Sequence, residues 1–144
     1  MTRQTVGWRE WAGLPDLGAR RIRAKIDTGA KTSAVHARKI EALDIDGAPH
    51  VSFVVEVMRD GAPHLMRCCE TLADTRIIRS SNGGEEKRFV IRTALRLGDF
   101  EQQVDLSLTD RGAMEFPLLV GRDALGGRFL VDPQASYLCD AEGL

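Results

Sequence analysis

The residues with the clearest chemical capacity are Asp27-Thr28-Gly29-Ala30. They end a basic, strand-like run from Arg20 to Ile26 and are answered about ninety residues later by Leu118-Leu119-Val120-Gly121-Arg122. A carboxylate placed directly after a strand is held at the strand's end, where a turn can aim it into a cleft. Thr28 offers a hydroxyl to brace that turn, Gly29 permits a positive φ and lets an N–H approach the carboxylate, and Ala30 leaves room above it. Such a carboxylate can take a proton from water and start attack on an amide, provided a second, protonated carboxyl donates to the carbonyl oxygen. The chain has a single Asp-Thr-Gly, so the second carboxyl must come from another copy or from elsewhere in the chain, where Asp123 and Asp132 are the candidates. By itself an Asp shortly before a Gly most often makes only an Asx-turn.

The two segments together resemble the active site of a retropepsin-like aspartic peptidase. There a hydrophobic-hydrophobic-Gly strand passes behind the catalytic loop and an Arg in a short helix braces it. Leu119-Val120-Gly121 and Arg122-Asp123-Ala124-Leu125 stand in those places. Further segments narrow the likeness: Val6-Gly7-Trp8-Arg9-Glu10-Trp11, Leu14-Pro15-Asp16-Leu17-Gly18, Ile22 to Ala34 around the Asp27 loop, His36-Ala37, Ser80-Ser81-Asn82-Gly83 with Glu86 and Arg88, and Phe129-Leu130-Val131-Asp132-Pro133. They resemble one bacterial retropepsin-like group, often labelled ATP-dependent zinc proteases and related to the RimB peptidases, from Val6 to Leu138. The resemblance implies peptidase activity, with Asp27, Thr28 and Gly29 catalytic and Ala30, Lys31, Ser81, Asn82, Gly83, Glu86, Arg88 and Arg122 contacting substrate. It implies that Ser80–Gly84 is a flap over the substrate. More loosely, it implies a link to ATP-grasp glutamate ligases, whose glutamate tails a partner peptidase would trim.

The residues support neither half of the group's label. A phosphate-binding P-loop needs G-x-x-x-x-G-K-[ST], and Gly29-Ala30-Lys31-Thr32 only imitates its tail. A zincin needs two His one helical turn apart, whereas His36, His50 and His64 are spaced fourteen residues from one another. No metal site and no cofactor is expected, a site assembled from His64, Cys68 and Cys69 being the remaining alternative.

Those residues must be positioned by strands. At 144 residues the chain suits one domain spanning 1–144. Alternating or β-branched runs predict strands at Ile22–Asp27, Val51–Met58, Leu65–Glu70, Arg76–Ser80, Arg88–Leu97, Gln102–Leu108, Pro117–Gly121 and Phe129–Asp132. Turns are predicted at Asp44–Gly47, Arg59–Pro63, Ser80–Gly84, Leu97–Asp99 and Gly126-Gly127. Short helices are predicted at Arg122–Leu125 and Thr109–Met114. The expected class is all-β, a small closed barrel of the retropepsin-like type with one or two short helices.

No run approaches the roughly 20 apolar residues of a membrane span and no signal-peptide core follows Met1. The expected location is therefore cytoplasmic, with no membrane partner. Three Cys, two of them adjacent, indicate no disulfide framework. Residues 1–39 hold nine Lys/Arg against three Asp/Glu, while 40–144 hold eleven against eighteen. That asymmetry suits either a rim that draws in an acidic peptide or a solvated strand face pairing with the acidic remainder of the chain; the glutamate-tailed protein substrate is what the family resemblance implies. Nucleic acid is not expected, because aromatic residues are few and not interleaved with the basic ones. A homodimer would supply the missing carboxyl. A peptide-binding barrel without turnover and a zinc-dependent hydrolase are the alternative functions.

Overall fold

The structure, a computed structural model, describes residues 2–79, 83–110 and 115–139. In chain order its strands are β1 (Gln4–Leu14), β2 (Ala19–Ile26), β3 (Ser33–His36), β4 (Arg38–Ile45), β5 (Ala48–Arg59), β6 (Ala62–Thr71), β7 (Asp74–Arg79), β8 (Glu85–Leu97), β9 (Phe100–Thr109), β10 (Leu118–Val120) and β11 (Phe129–Ser136). One short helix, α1 (Arg122–Leu125), lies between β10 and β11, and a single 3-10 turn, Pro15–Leu17, joins β1 to β2.

Eight strands form a mixed sheet in the order β11-β1-β2-β10-β3-β9-β8-β7, and β1 also pairs with β8. Hydrogen bonds therefore close a ring through β1, β2, β10, β3, β9 and β8, the small barrel expected from the sequence. Closure pairs each of these six strands on both sides and leaves β11 and β7 as the edges of the sheet. β4, β5 and β6 form a separate antiparallel sheet. Its two hairpins turn through Asp46-Gly47 and Asp60-Gly61, all four at positive φ. That is the pattern of the two-residue turn whose twist matches paired strands.

The core follows from period-two alternation. Ile22, Ala24 and Ile26 of β2 point inward, and Arg21, Arg23 and Lys25 point out. Leu14, Ile91, Leu95, Leu97, Leu106, Leu108 and Leu118 are buried to within 2% of complete, each burial worth about 1.5–3 kcal/mol against exposure. Val51, Phe53, Val55 and Val57 of β5 join the same core.

Three strands were not predicted. β4 is exposed at seven of its eight residues, so no apolar alternation announces it. β3 is only four residues long, and β1 holds the Trp8–Trp11 segment that reads as motif rather than strand. The predicted helix at Thr109–Met114 is not supported at its start, since Thr109 ends β9; residues 111–114 lie outside the described set. No helix among the described residues is long and apolar enough to cross a membrane.

Candidate active site

Asp27 follows the last residue of β2. Its backbone N–H donates to Val120 O at 2.9 Å, so β10 lies directly alongside the loop's entry. β10 runs parallel to β2, with Val120 beside Ile26, and antiparallel to β3, with Leu119 beside Ala34. The loop Asp27–Thr32 thus leaves one flank of β10 and returns on the other. A three-residue strand between them holds both ends in register.

Within the loop, Gly29 N–H donates to Asp27 Oδ1 at 3.0 Å. Gly29 is not among the positive-φ glycines, which corrects the reason first given for it. A Cβ here would stand 3.3 Å from Asp27 Oδ1, a tight contact that the carboxylate would have to yield to by a few tenths of an ångström. The bracing of the turn also differs from expectation. The Thr28 hydroxyl makes no hydrogen bond among the described residues; the Thr28 carbonyl instead accepts Arg122 Nη1 at 3.0 Å.

The chain after β10 locks the loop from behind. Arg122 N–H donates to Ala30 O at 2.8 Å and Asp123 N–H to Lys31 O at 3.0 Å. Gly121 N–H donates to Ser33 Oγ at 3.0 Å. A Cβ on Gly121 would stand 2.7 Å from the Thr32 carbonyl carbon, so this approach requires glycine. Asp27, Thr28, Gly29, Ala30, Lys31 and Arg122 therefore belong to one hydrogen-bonded unit.

The other residues expected to touch substrate are placed differently. Ser81 and Asn82 lie outside the described residues. Gly83 is exposed at the head of β8 with φ 85°. Arg88 Nε and Nη2 donate to Glu86 Oε2 at 3.2 and 3.1 Å, and the Thr109 hydroxyl donates to Glu86 Oε1 at 3.1 Å. Glu86 and Arg88 are thus engaged with each other and with β9.

Two positions escaped the sequence reading. Ser33 receives the Gly121 N–H, and Arg76 of β7 donates through Nη1 to Thr32 Oγ1 at 3.2 Å. Arg76 is clamped by Asp74 and Asp105 at 2.9 Å each, and Arg92 donates to the other oxygen of Asp105 at 2.9 Å. The hydrogen bond from Arg76 holds the Asp105 carboxyl below its usual range, and the same guanidinium lowers Asp74. A contact spanning 44 residues leaves no local trace in sequence.

The alternative zinc set does not assemble. His64 and Cys68 are four residues apart on β6, about 13 Å along a strand, and Cys69 faces the opposite side. Burial, with Glu70 nearby, pushes the Cys68 thiol up to about 11, away from the thiolate a metal requires. Among the described residues no group of three or more His, Cys, Asp or Glu could hold a metal ion. His64, Cys68 and Cys69 do not fit a zinc centre.

Known proteins agree with this geometry. Residues 5–142 match the family model described as RimB-like, retropepsin-like aspartic endopeptidase RimB. A probable alpha-L-glutamate ligase of Desulfotalea psychrophila is 41% identical over 133 residues, and one of Shewanella pealeana 38% over 138. These matches take in 92% and 96% of this chain but only 29% and 30% of the relatives, so the chain spans less than a third of their length. The crystal structure of a Legionella pneumophila protein of unknown function (DUF785) superposes with a TM-score of 0.73 at 28% identity, covering 95% of this chain and 98% of that one. With its Asp27 loop, its β10 strand and nearly its whole length accounted for, the chain belongs to the RimB-like family of retropepsin-like proteins.

Proposed function

We propose that the protein is an aspartic-type peptidase in which the Asp27 carboxylate activates water for attack on an amide bond of an acidic, glutamate-tailed peptide. The observation that carries this reading is the Asp27–Lys31 loop. Its carboxylate accepts the Gly29 N–H, and its Thr28, Ala30 and Lys31 carbonyls are all taken by the Arg122-Asp123 segment. Fixing a carboxylate before the substrate arrives is what general-base catalysis needs. The family's description supports the reaction class, and the name of the relatives, glutamate ligases, supports the glutamate tail.

A dyad requires a second carboxyl sharing a proton with the first. Among the described residues no carboxyl is hydrogen-bonded to Asp27. Asp132 sits on β11, with β1 between it and β2, about 10 Å away at two strand spacings. Asp27 of a second copy is the better source, and the working enzyme is a homodimer on this reading.

The test is hydrolysis of a glutamate-extended peptide, followed by mass spectrometry. Asp27→Asn is nearly isosteric and cannot accept the water's proton. It should fold normally and lose at least about 10²-fold in kcat. Near-normal turnover by the folded variant would end the aspartic-peptidase reading.

A further inference from the structure

β2 carries Arg21, Arg23 and Lys25 at alternate positions, on the outward side of a strand whose Ile22, Ala24 and Ile26 are buried, and Asp27 follows its end two residues after Lys25. At the Arg21–Arg23 end of this row, away from Asp27, a cleft of about 710 Å3 opens between β2 and the β5–β6 hairpin, with Trp11, Arg21, Arg23, Arg38 and Arg59 in its lining. Asp27 is not part of it.

Two of the three β2 arginines, Arg21 and Arg23, are held ready in this cleft. Arg21 Cζ lies 3.9 Å from the Trp11 ring centroid, and Trp11 stacks on Tyr137 at 5.4 Å. Arg23 Cζ lies 5.0 Å from the Phe116 ring, and Arg23 Nε donates to the Tyr137 hydroxyl at 3.3 Å. The segment carrying Tyr137 is itself pinned, because Leu138 and Cys139 N–H groups donate to the buried Glu10 carboxylate at 2.8 and 3.0 Å. A guanidinium stacked on a ring keeps its N–H edge available, and that edge matches a carboxylate in two parallel hydrogen bonds. Glu56, Asp60 and Glu115 also line the cleft. Among the described residues none of them is within ion-pair distance of Arg21, Arg23, Arg38 or Arg59.

The row also sets a distance. Arg23 is four residues and Arg21 six residues before Asp27, about 13 and 20 Å along a strand. An extended peptide covers those spans in about four and six residues.

We propose that this cleft is a carboxylate-binding subsite that grips the substrate's acidic tail four to six residues from the bond at Asp27, so that binding depends on tail length. The proposal rests on the peptidase reading for its reference point at Asp27, while the subsite itself can be measured by binding alone. A glutamate tail laid along β2 passes Lys25 and ends with its carboxylates on Arg23 and Arg21.

The test uses fluorescence anisotropy of labelled oligo-L-glutamates of two, four, six and eight residues with the Asp27→Asn protein. Affinity should rise from two residues to six and then level off. Adding Arg21→Gln and Arg23→Gln should flatten that dependence and weaken the eight-residue peptide by about tenfold, the combined effect of two charge-assisted pairs. The Arg21→Lys, Arg23→Lys pair keeps the charge without the planar edge and should fall between, which also covers misfolding of the Gln pair as judged by circular dichroism. Equal affinity for two and eight residues, no binding of the longest peptide, or an unchanged Gln pair would overturn the subsite. So would equal competition by an oligonucleotide of the same charge. Cleavage by the wild-type protein is followed in parallel. Length-dependent binding without cleavage would remove the peptidase reading alone, and cleavage with length-independent binding would remove the subsite alone.

Discussion

Arg76 Nη1 donates to Thr32 Oγ1 at 3.2 Å, joining β7 to the end of the Asp27 loop across 44 residues. The guanidinium cannot swing away freely, since its Nε and Nη2 are held by Asp74 and Asp105. β7 leads directly into the segment expected to cover substrate. The contact therefore ties that segment's base to the loop that carries the carboxylate.

Arg76→Gln should consequently disturb the loop more than the fold. Its ion pairs are partly exposed and screened by solvent, so the loss of stability should be small. In the proposed reaction kcat should fall several-fold with KM little changed, since the tail contacts lie elsewhere. Arg76→Lys, which retains charge but not the three-way fork, should recover only part of kcat. An unaltered kcat in a folded Arg76→Gln protein would reduce the contact to a surface detail.

The same cluster sets an acid limit on stability. Asp105 and Asp74 are both lowered from the usual carboxylate value by hydrogen bonds from Arg76. A depressed folded value means that the contribution is present above the unfolded pKa of about 3.9 and is lost as pH falls through the folded value. Urea midpoints should hold steady near neutrality and drop below about pH 4. Asp105→Asn should be less stable at pH 7 and show a shallower fall on acidification. A slope identical to that of the parent would deny Asp105 its part.

Glu10 is wholly buried, and its two oxygens accept three backbone N–H groups, from Gly7, Leu138 and Cys139, at 2.7 to 3.0 Å. Glu10→Gln keeps the volume but turns one acceptor into a donor facing an N–H. At least one of the three donors then loses its partner, at a cost of about 1–3 kcal/mol. Chemical denaturation should show that loss. Cys139 offers a second readout, because burial, with Glu10 close by, holds its thiol up at about 12. Loosening of the 137–139 strap should expose it to a thiol reagent well before global unfolding, whereas exposed Cys69 reacts at once in both proteins.

Much of this arrangement could be read from the chain because its chemistry is local. Asp27-Thr28-Gly29 announces a carboxylate at a strand end, and Val120-Gly121-Arg122 announces a strand, a close approach and a brace. Alternation announced β2, β8 and β9 of the ring, whereas β1 and β3, which complete it, carried no such signal. What stayed hidden depends on partners far apart in sequence. Glu10 stands in the sequence only as one residue of the Val6–Trp11 motif, and its role shows once Leu138 and Cys139 fold over it. Arg20 and Arg21 read as equivalent, yet a bulge sets both against Gly13, since Ala12 pairs with Ile22 and Leu14 with Ala19. Arg21 consequently enters the cleft with Trp11, while Arg20 lies with Pro15 and Arg96 on another part of the surface. Arg88 pairs with Glu86 on its own strand, and Glu86 in turn reaches Thr109 of β9, a link that spans 23 residues.

The last prediction concerns the second carboxyl. If Asp27 of another copy completes the dyad, two like charges a few ångströms apart cannot both ionise. The pair should then titrate in two separated macroscopic steps, giving a bell-shaped pH dependence of kcat/KM that belongs to neither residue singly. Activity per chain should also fall when the protein is diluted below its dimer dissociation constant, and a glutamate-tailed substrate should shift that midpoint downward by mass action. Mixing active chains with excess Asp27→Asn chains should suppress activity beyond simple dilution, because each mixed dimer holds one carboxyl. A monomer by sedimentation that keeps full activity at every dilution would place both carboxyls in one chain. Asp123 would then be the residue to replace, since its backbone N–H already donates to Lys31 O at 3.0 Å behind the loop.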